Sequence, residues 1–180
     1  PVLTASAYME YQQGRVDNIF GGCYGTYDYT DRLYSDYTYD DGRSKPGFSK
    51  PRMDNAFVNF RPVVSSNPLN KVKRIYGAGQ GISTTYGDFG IDSMQVRSYV
   101  LLDIPQTMTA FTDLVVFGAG QNGGLGMGVP AATAQADPDK VSAVIDLFRG
   151  DISNGDVYGG SEDEGVTRRT VVNVPAGSTI

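Results

Sequence analysis

The apolar residues of this chain occur in short runs, and most runs are bounded by glycine, proline, asparagine or aspartate. Runs of this length with such boundaries are typical of β-strands separated by turns. The 23 glycines among 180 residues also favour an all-β protein with many loops. The sequence predicts strands at residues 3–11, 56–60, 72–76, 97–104, 111–117 and 170–174.

The chain length suits one domain, residues 1–180, with a core that needs no metal or disulfide to hold it. We expect a mainly antiparallel β-sandwich or barrel with long irregular loops, and a jelly roll is one form it can take. The four consecutive apolar residues Leu114-Val115-Val116-Phe117 indicate a strand covered on both faces, and therefore central in its sheet.

One short α-helix is predicted over residues 138–149. Asp137 is a suitable N-cap and Pro138 suits the first helical position. Arg149 favours the last turn, and Gly150 is a common residue after a helix end. Apolar residues fall at the helical spacing between these ends, and the predicted stripe consists of Val141, Val144, Ile145 and Phe148.

A run rich in tyrosine and aspartate extends over residues 22–42 and holds six tyrosines and five aspartates. Tyr27 and Tyr29 alternate with polar residues, as do Tyr37 and Tyr39, which predicts two strands of a hairpin. One small hairpin cannot bury so many rings while its acids stay hydrated. We therefore expect part of the aromatic face to contact another chain.

Charge is strongly segregated. Residues 43–74 hold eight bases against Asp54 alone, whereas the net charge of the whole chain is −5. Prolines keep parts of this segment extended, which predicts a basic arm or excursion at about 43–74. A solvated loop, a nucleic-acid contact and an arm on a neighbouring subunit are the alternatives, and a pI near 4.6 argues against free nucleic acid. The predicted interface consists of Tyr27, Tyr29, Tyr34, Tyr37, Tyr39, Arg43, Lys45, Lys50 and Arg52.

The residue types restrict the chemistry. The chain has no histidine, which excludes serine or cysteine nucleophiles activated by histidine and the common zinc sites that use it. Cys23 is the only cysteine, so no disulfide can form within the chain. An aspartate-based enzyme remains a minor alternative, because aspartates are numerous. We expect no enzymatic activity, no cofactor and no metal site.

One glycine-rich string is similar to a ligand-binding loop. Residues 118–123 match GxGxxG, but further glycines and Pro130 follow where a dinucleotide-binding motif would begin a helix. The string therefore predicts a loop that binds no nucleotide.

The string GAGQ occurs at residues 77–80 and again at 118–121, which suggests two equivalent glycine turns at one end of a sheet. A chance repeat in a glycine-rich chain is the simpler interpretation.

Three further strings have ordinary structural explanations. Arg149-Gly150-Asp151 spells an adhesion tripeptide, but the predicted helix end already accounts for its arginine and glycine. The oxygen-rich segments 151–156 and 161–165 lack the ligand spacing of an EF-hand, and we interpret them as solvated turns.

In general character the chain resembles small virus and phage particle proteins, which are rich in glycine and aspartate and carry charged arms; the likeness transfers no residue roles. We expect a non-enzymatic structural protein of a symmetric assembly in a virion, as a capsid, decoration or tail component. Its partners would be its own copies and other particle proteins, with no membrane contact. The alternative is an extracellular carbohydrate-binding or adhesin-like β-sandwich module, since tyrosines also stack on sugars.

Overall fold

The computed structural model describes residues 6–22, 55–63, 71–80, 97–105, 113–121, 142–150, 152, 155–163 and 169–176. Within these ranges the secondary structure consists of β-strands, and no helix there has the length and apolarity needed to cross a membrane. The strands are β1 (Ser6–Tyr11), β2 (Arg15–Phe20), β3 (Asn55–Phe60), β4 (Lys71–Tyr76), β5 (Arg97–Asp103), β6 (Val115–Phe117), β7 (Ser142–Arg149), β8 (Asp156–Tyr158) and β9 (Thr170–Asn173).

The strands alternate between two sheets along the chain. Sheet A has the order β1-β3-β5-β7-β9 and sheet B the order β2-β4-β6-β8. Neighbouring strands in both sheets are parallel. From β1 to β8, each strand of sheet A is followed by a strand of sheet B, after which the chain returns to sheet A one level further along. This winding is that of a parallel β-solenoid. One strand of sheet A and the following strand of sheet B form a coil, and each coil stacks on the coil before it.

The expected antiparallel sandwich, barrel or jelly roll is therefore wrong. Side chains alternate with period two in parallel and antiparallel strands alike, so the alternation that located strands carried no information about their direction. β1 and β2 are separated by only three residues, Gln12 to Gly14, which is a hairpin length. The chain instead turns a corner there and enters the other sheet.

Apolar side chains from both sheets fill the interior of the solenoid. Val58, Val100 and Ile145 occupy equivalent register positions in sheet A, and Ile75 and Val116 do so in sheet B. All five are fully buried and belong to one hydrophobic cluster. β-branched side chains suit this arrangement because they pack well on a pleated surface. The burial of these apolar side chains is the main favourable contribution to folding.

An aromatic ladder runs along one edge of sheet B. Phe20, Tyr76, Phe117 and Tyr158 end successive strands and stack with centroid distances of 4.6, 5.2 and 5.1 Å. These distances are close to the roughly 4.8 Å separation of paired strands. The ladder thus follows directly from stacking aromatic residues at the same position of each coil.

A glycine follows each ring of the ladder, at residues 21, 77, 118 and 159. A Cβ atom on Gly118 would lie 2.4 Å from the carbonyl oxygen of Gly159 and 3.1 Å from the Cβ of Ala143. Gly77 is in the same position over Gly118, where a Cβ would lie 2.4 Å from the next carbonyl oxygen. The solenoid can turn this corner only because successive backbones approach without a side chain between them.

The GAGQ repeat is this corner, so the chance interpretation is wrong. Gln80 forms a parallel bridge with Gln121, and Gln121 forms one with Glu162. Residues 158–162, Tyr-Gly-Gly-Ser-Glu, are therefore a third, degenerate copy in the next coil. The GxGxxG string at 118–123 begins in the same corner, since its first four residues form the second copy of the repeat.

The predicted helix at 138–149 is also wrong where it is described, because residues 142–149 form β7. Ala143, Ile145 and Leu147 are buried, whereas Val144 and Phe148 point away from the core. β7 pairs with β5 on one side and β9 on the other, and this pairing overrides the helical spacing of the apolar residues. The predicted cap at Asp137 and Pro138 lies outside the described residues.

Several predicted strands are found at or near their expected positions. β3, β4, β5 and β9 match the predictions at 56–60, 72–76, 97–104 and 170–174 within one residue at each end. β1 and β6 cover parts of the predictions at 3–11 and 111–117. β6 has a strand on each side, as expected for a central strand. Strands β2 and β8 were not predicted, and the tyrosine-rich hairpin lies outside the described residues.

Candidate functional site

The outer face of sheet A carries a stripe of apolar side chains. Tyr8, Phe57, Tyr99, Val144 and Val171 are aligned by the strand register, one from each strand, and we call them the outer stripe. Tyr8 is 67% exposed and Phe57 is 41% exposed, while the other three are half-buried. In β3, β5 and β7 the residue after the stripe residue is buried in the core. The stripe is therefore a surface feature and is no part of the interior.

The two flanks of the outer stripe have opposite charge. Arg97 lies two residues before Tyr99, and Arg169 lies two residues before Val171, so cations precede the stripe in two strands. Glu10 lies two residues after Tyr8, and Asp146 lies two residues after Val144, so acids follow it. Residues two apart in a strand share a face. Sheet A thus presents an apolar centre with a basic side and an acidic side.

Hydrogen bonds orient two of the tyrosines. Asn59 Nδ2 donates to the Tyr8 hydroxyl at 3.0 Å, and the Tyr99 hydroxyl donates to Asp146 Oδ2 at 2.9 Å. Burial, together with the hydrogen bond to the Asp146 carboxylate, raises the pKa of Tyr99 to about 12. Both phenol rings are therefore held in place on the surface by their neighbours in adjacent strands.

Sheet B carries much of the described part of the basic segment. Lys71, Lys73 and Arg74 project from β4, and Arg15 lies opposite Lys71 in β2. Lys73 Nζ lies 2.9 Å from Asp17 Oδ1, and this hydrogen bond and charge lower the pKa of Asp17. Lys71 has no carboxylate within ion-pairing distance among the described residues. Strands β2 and β4 of sheet B therefore carry an excess of positive charge, with four cations against Asp17.

The carboxylate of Asp103 forms ion pairs with two arginines, one from the preceding coil and one from the following coil. Its side chain is 4% exposed and contacts Arg61 Nε at 2.9 Å and Arg149 Nε through its other oxygen. The register of β7 shifts beside Asp103, so that Arg149 lies opposite Asp103 and Phe148 is passed over. This irregularity directs the guanidinium group of Arg149 toward the buried carboxylate of Asp103. Arg149 of the adhesion tripeptide is thereby engaged in an intrachain ion pair.

A second polar cluster closes the corner beside the aromatic ladder. The Tyr76 hydroxyl and Gln121 Nε2 both donate to Glu162 Oε2, and Arg74 Nε lies 3.6 Å from Glu162 Oε1. Burial raises the pKa of Tyr76, and the hydrogen bond to the Glu162 carboxylate raises it further. Three coils contribute to this cluster, so it ties the stack together along its axis.

The nine interface residues proposed from the sequence lie outside the described residues, and that interface stays a prediction. The outer stripe was missed, although alternation in β1, β3 and β5 located its strands. The missing information was the shared register, which aligns residues 49 and 42 positions apart in the chain. The corner repeat at residues 77 and 118 was the one sequence signal of that register.

The described part of the chain holds no group of three histidine, cysteine, aspartate or glutamate residues arranged to bind a metal. Comparisons with protein-family models, with curated proteins and with solved structures find no match for this chain. The functional interpretation therefore depends on the surfaces of the solenoid itself.

Proposed function

We propose that this protein is a non-enzymatic structural component of a symmetric assembly, and that copies associate through the outer face of sheet A. The observation that carries the proposal is the exposed outer stripe with oppositely charged flanks. Apolar surface at the centre of a patch with charged groups around it is the usual arrangement of a protein interface. The exposed rings of Tyr8 and Phe57 supply the contact area, and a hydrogen bond from Asn59 holds the first of them in place.

A second copy of the chain is the occupant that the charges favour. A two-fold axis perpendicular to the strands reverses their direction in the partner, so the Arg97 and Arg169 side of one copy faces the Glu10 and Asp146 side of the other. The stripes then meet across the axis, with ion pairs on both flanks. Electrostatic complementarity of this kind fixes orientation and register in an interface.

We propose that the chain is a capsid, decoration or tail component in the particle of a virus or phage. Stacked coils that share one core form a rigid, regular element, which suits a structural role. The acidic run at 24–42 and the basic segment at 43–74 add a further pair of complementary charges within the same chain. An extracellular location with carbohydrate binding is the alternative to this setting.

Self-association of the purified full chain tests the proposal. Phe57→Ser combined with Tyr8→Ser should weaken self-association at least about tenfold, measured by sedimentation velocity and light scattering over a range of concentrations. The melting temperature should change little, because both rings are already exposed in the monomer. Tyr158→Ser is the matched control, since Tyr158 is 49% exposed but lies on sheet B.

A charge reversal separates this face from other contacts. Arg97→Glu should weaken association, and Arg97→Glu combined with Asp146→Arg should restore it, because the two-fold axis brings Asp146 of β7 within one strand spacing of Arg97 of β5 in the partner. A parent chain that stays monomeric at high concentration, or stripe variants that associate like the parent, would refute an interface on sheet A.

A further inference from the structure

A small pocket opens on the outside of sheet B, with a volume of about 210 Å³. It is lined by Lys71, Lys73 and Arg74 from β4, by Val115 from β6, and by Asp113 two residues before Val115. Pockets for drug-sized ligands are larger, at roughly 300 Å³ or more. The pocket therefore has room for a group the size of one sugar ring or one small anion.

The charges of the lining favour an anionic group. Three cations face a single carboxylate, and two of the cations have other carboxylates as partners: Lys73 pairs with Asp17, and Arg74 lies near Glu162. Lys71 forms no ion pair in the described ranges, and Arg15 lies beside it as a second cation, although the charge of Asp17 acts on both. An anion placed at Lys71 would relieve the repulsion that remains between these two positive charges.

Asp113 makes the pocket more selective than a simple anion site. Its backbone φ is 63°, a left-handed conformation that is uncommon for residues other than glycine. None of the pocket cations forms an ion pair with Asp113. A bare sulfate or phosphate ion would be repelled by this carboxylate, whereas hydroxyl groups can donate hydrogen bonds to it. The half-buried Val115 adds an apolar patch between the charged side chains.

We propose that this pocket binds a carboxylated sugar, such as one uronic acid unit of an acidic polysaccharide. The sugar carboxylate accepts hydrogen bonds from Lys71, a ring hydroxyl donates to Asp113, and the C–H face of the ring rests on Val115. Each part of the lining thus has a counterpart in one ligand, which neither an inorganic anion nor a neutral sugar provides. The site lies on sheet B and is independent of the association proposed for sheet A.

Binding to the full chain can be measured by calorimetry with galacturonate, an oligogalacturonate, the corresponding neutral galactose ligands, and sodium sulfate at matched ionic strength. We expect saturable binding of the uronate ligands and at least about tenfold weaker binding of the neutral sugars and of sulfate. Monosaccharide and oligosaccharide are compared because a polysaccharide source predicts tighter binding of the longer ligand.

Two substitutions assign the roles. Lys71→Ala should weaken uronate binding at least about tenfold, and Arg97→Ala, which removes the same charge from sheet A, should leave it unchanged. Asp113→Asn should weaken uronate binding but strengthen sulfate binding, because it removes the repulsive carboxylate. Circular dichroism confirms that each variant is folded.

Sulfate that binds the parent as tightly as uronate would overturn the sugar proposal and indicate an unselective anion site. No saturable uronate binding at millimolar concentration, or uronate binding unaffected by Lys71→Ala, would overturn the site altogether. Because these measurements are made on sheet B, they stay interpretable whether or not sheet A mediates association. The variants Tyr8→Ser and Phe57→Ser should bind uronate like the parent.

Discussion

Tyr76 and Phe117 are 41 residues apart in the sequence, yet their rings stack with centroids 5.2 Å apart and planes within 7° of parallel. The contact exists because both residues end a strand of sheet B at the same level of successive coils. The glycine after each ring lets the two backbones approach at the corner. Register and close backbone approach therefore determine the stability of this fold together.

The corner glycines give the first prediction. Gly118→Ala should destabilise the fold by about 2 kcal/mol or more, because the new methyl group would meet the carbonyl oxygen of Gly159, and backbone atoms cannot move away cheaply. Gly160→Ala is the matched control at the next corner, because a Cβ atom added there would meet nothing within 4 Å. Urea unfolding of both variants measures the difference, and equal stabilities would contradict the close approach.

The second prediction tests whether residues 142–149 form a strand. Ile145→Asp should destabilise the protein by several kcal/mol, because it places an unpaired charge in the core. Val144→Asp should cost far less, since Val144 is directed to the outer face. A helix with the stripe proposed from the sequence would bury both residues. Similar large losses for the two variants in thermal unfolding would thus argue for the helix.

The third prediction concerns the buried carboxylate of Asp103. Asp103→Ala should destabilise the protein by about 2 to 3 kcal/mol, because Arg61 and Arg149 lose the partner that they share. The half exposure of both guanidinium groups keeps the loss below that of a fully buried pair. Asp146→Ala is the control, a half-buried aspartate in the same sheet with one tyrosine partner, and should cost about 1 kcal/mol. A loss below about 0.5 kcal/mol for Asp103→Ala, on the order of an ordinary surface change, would refute the shared ion pair.

The fourth prediction is a dependence of stability on alkaline pH. The pKa of Tyr99 is about 12 in the folded chain and about 10 in an unfolded one. The folded state therefore holds the phenol proton more tightly, so this contribution to stability is complete below pH 10 and is lost as the pH rises from 10 to 12. The unfolding free energy of Tyr99→Phe, measured by urea unfolding at several pH values, should fall less steeply than that of the parent between pH 10 and 12. Parallel curves for parent and variant would contradict the raised pKa of Tyr99.

The positions of most strands could be predicted from the sequence, because apolar alternation and turn residues are local signals. The direction of their pairing could not. A strand such as β3 contacts β1 and β5, which lie 49 and 42 residues away in the register, and no pattern within β3 specifies these partners. Only the repeated corner after Tyr76 and Phe117 indicated that distant segments occupy equivalent places.

The candidate surfaces were harder to predict than the strands. The outer stripe brings together Tyr8, Phe57 and Tyr99, each of which is an ordinary aromatic residue in its own strand. The basic segment was recognised by its charge, but the structure divides its described members between an ion pair with Asp103, at Arg61, and a pocket on sheet B. β7 was misassigned because its apolar residues satisfy helical and strand spacing at once.

The equivalence of the corner copies makes the length of the protein adjustable in whole units. Excision of residues 77–117 would join Tyr76 directly to Gly118, a residue that already follows an aromatic ring at the same kind of corner. Strands β5 and β6 would leave together, and Arg61 would come to lie beside Arg149, so that Arg149→Asp would be needed to supply a new partner. Lengthening is possible by the same logic, through duplication of that unit. Such a chain can act as a molecular ruler, whose span is set by a count of coils and can change in steps of one strand spacing.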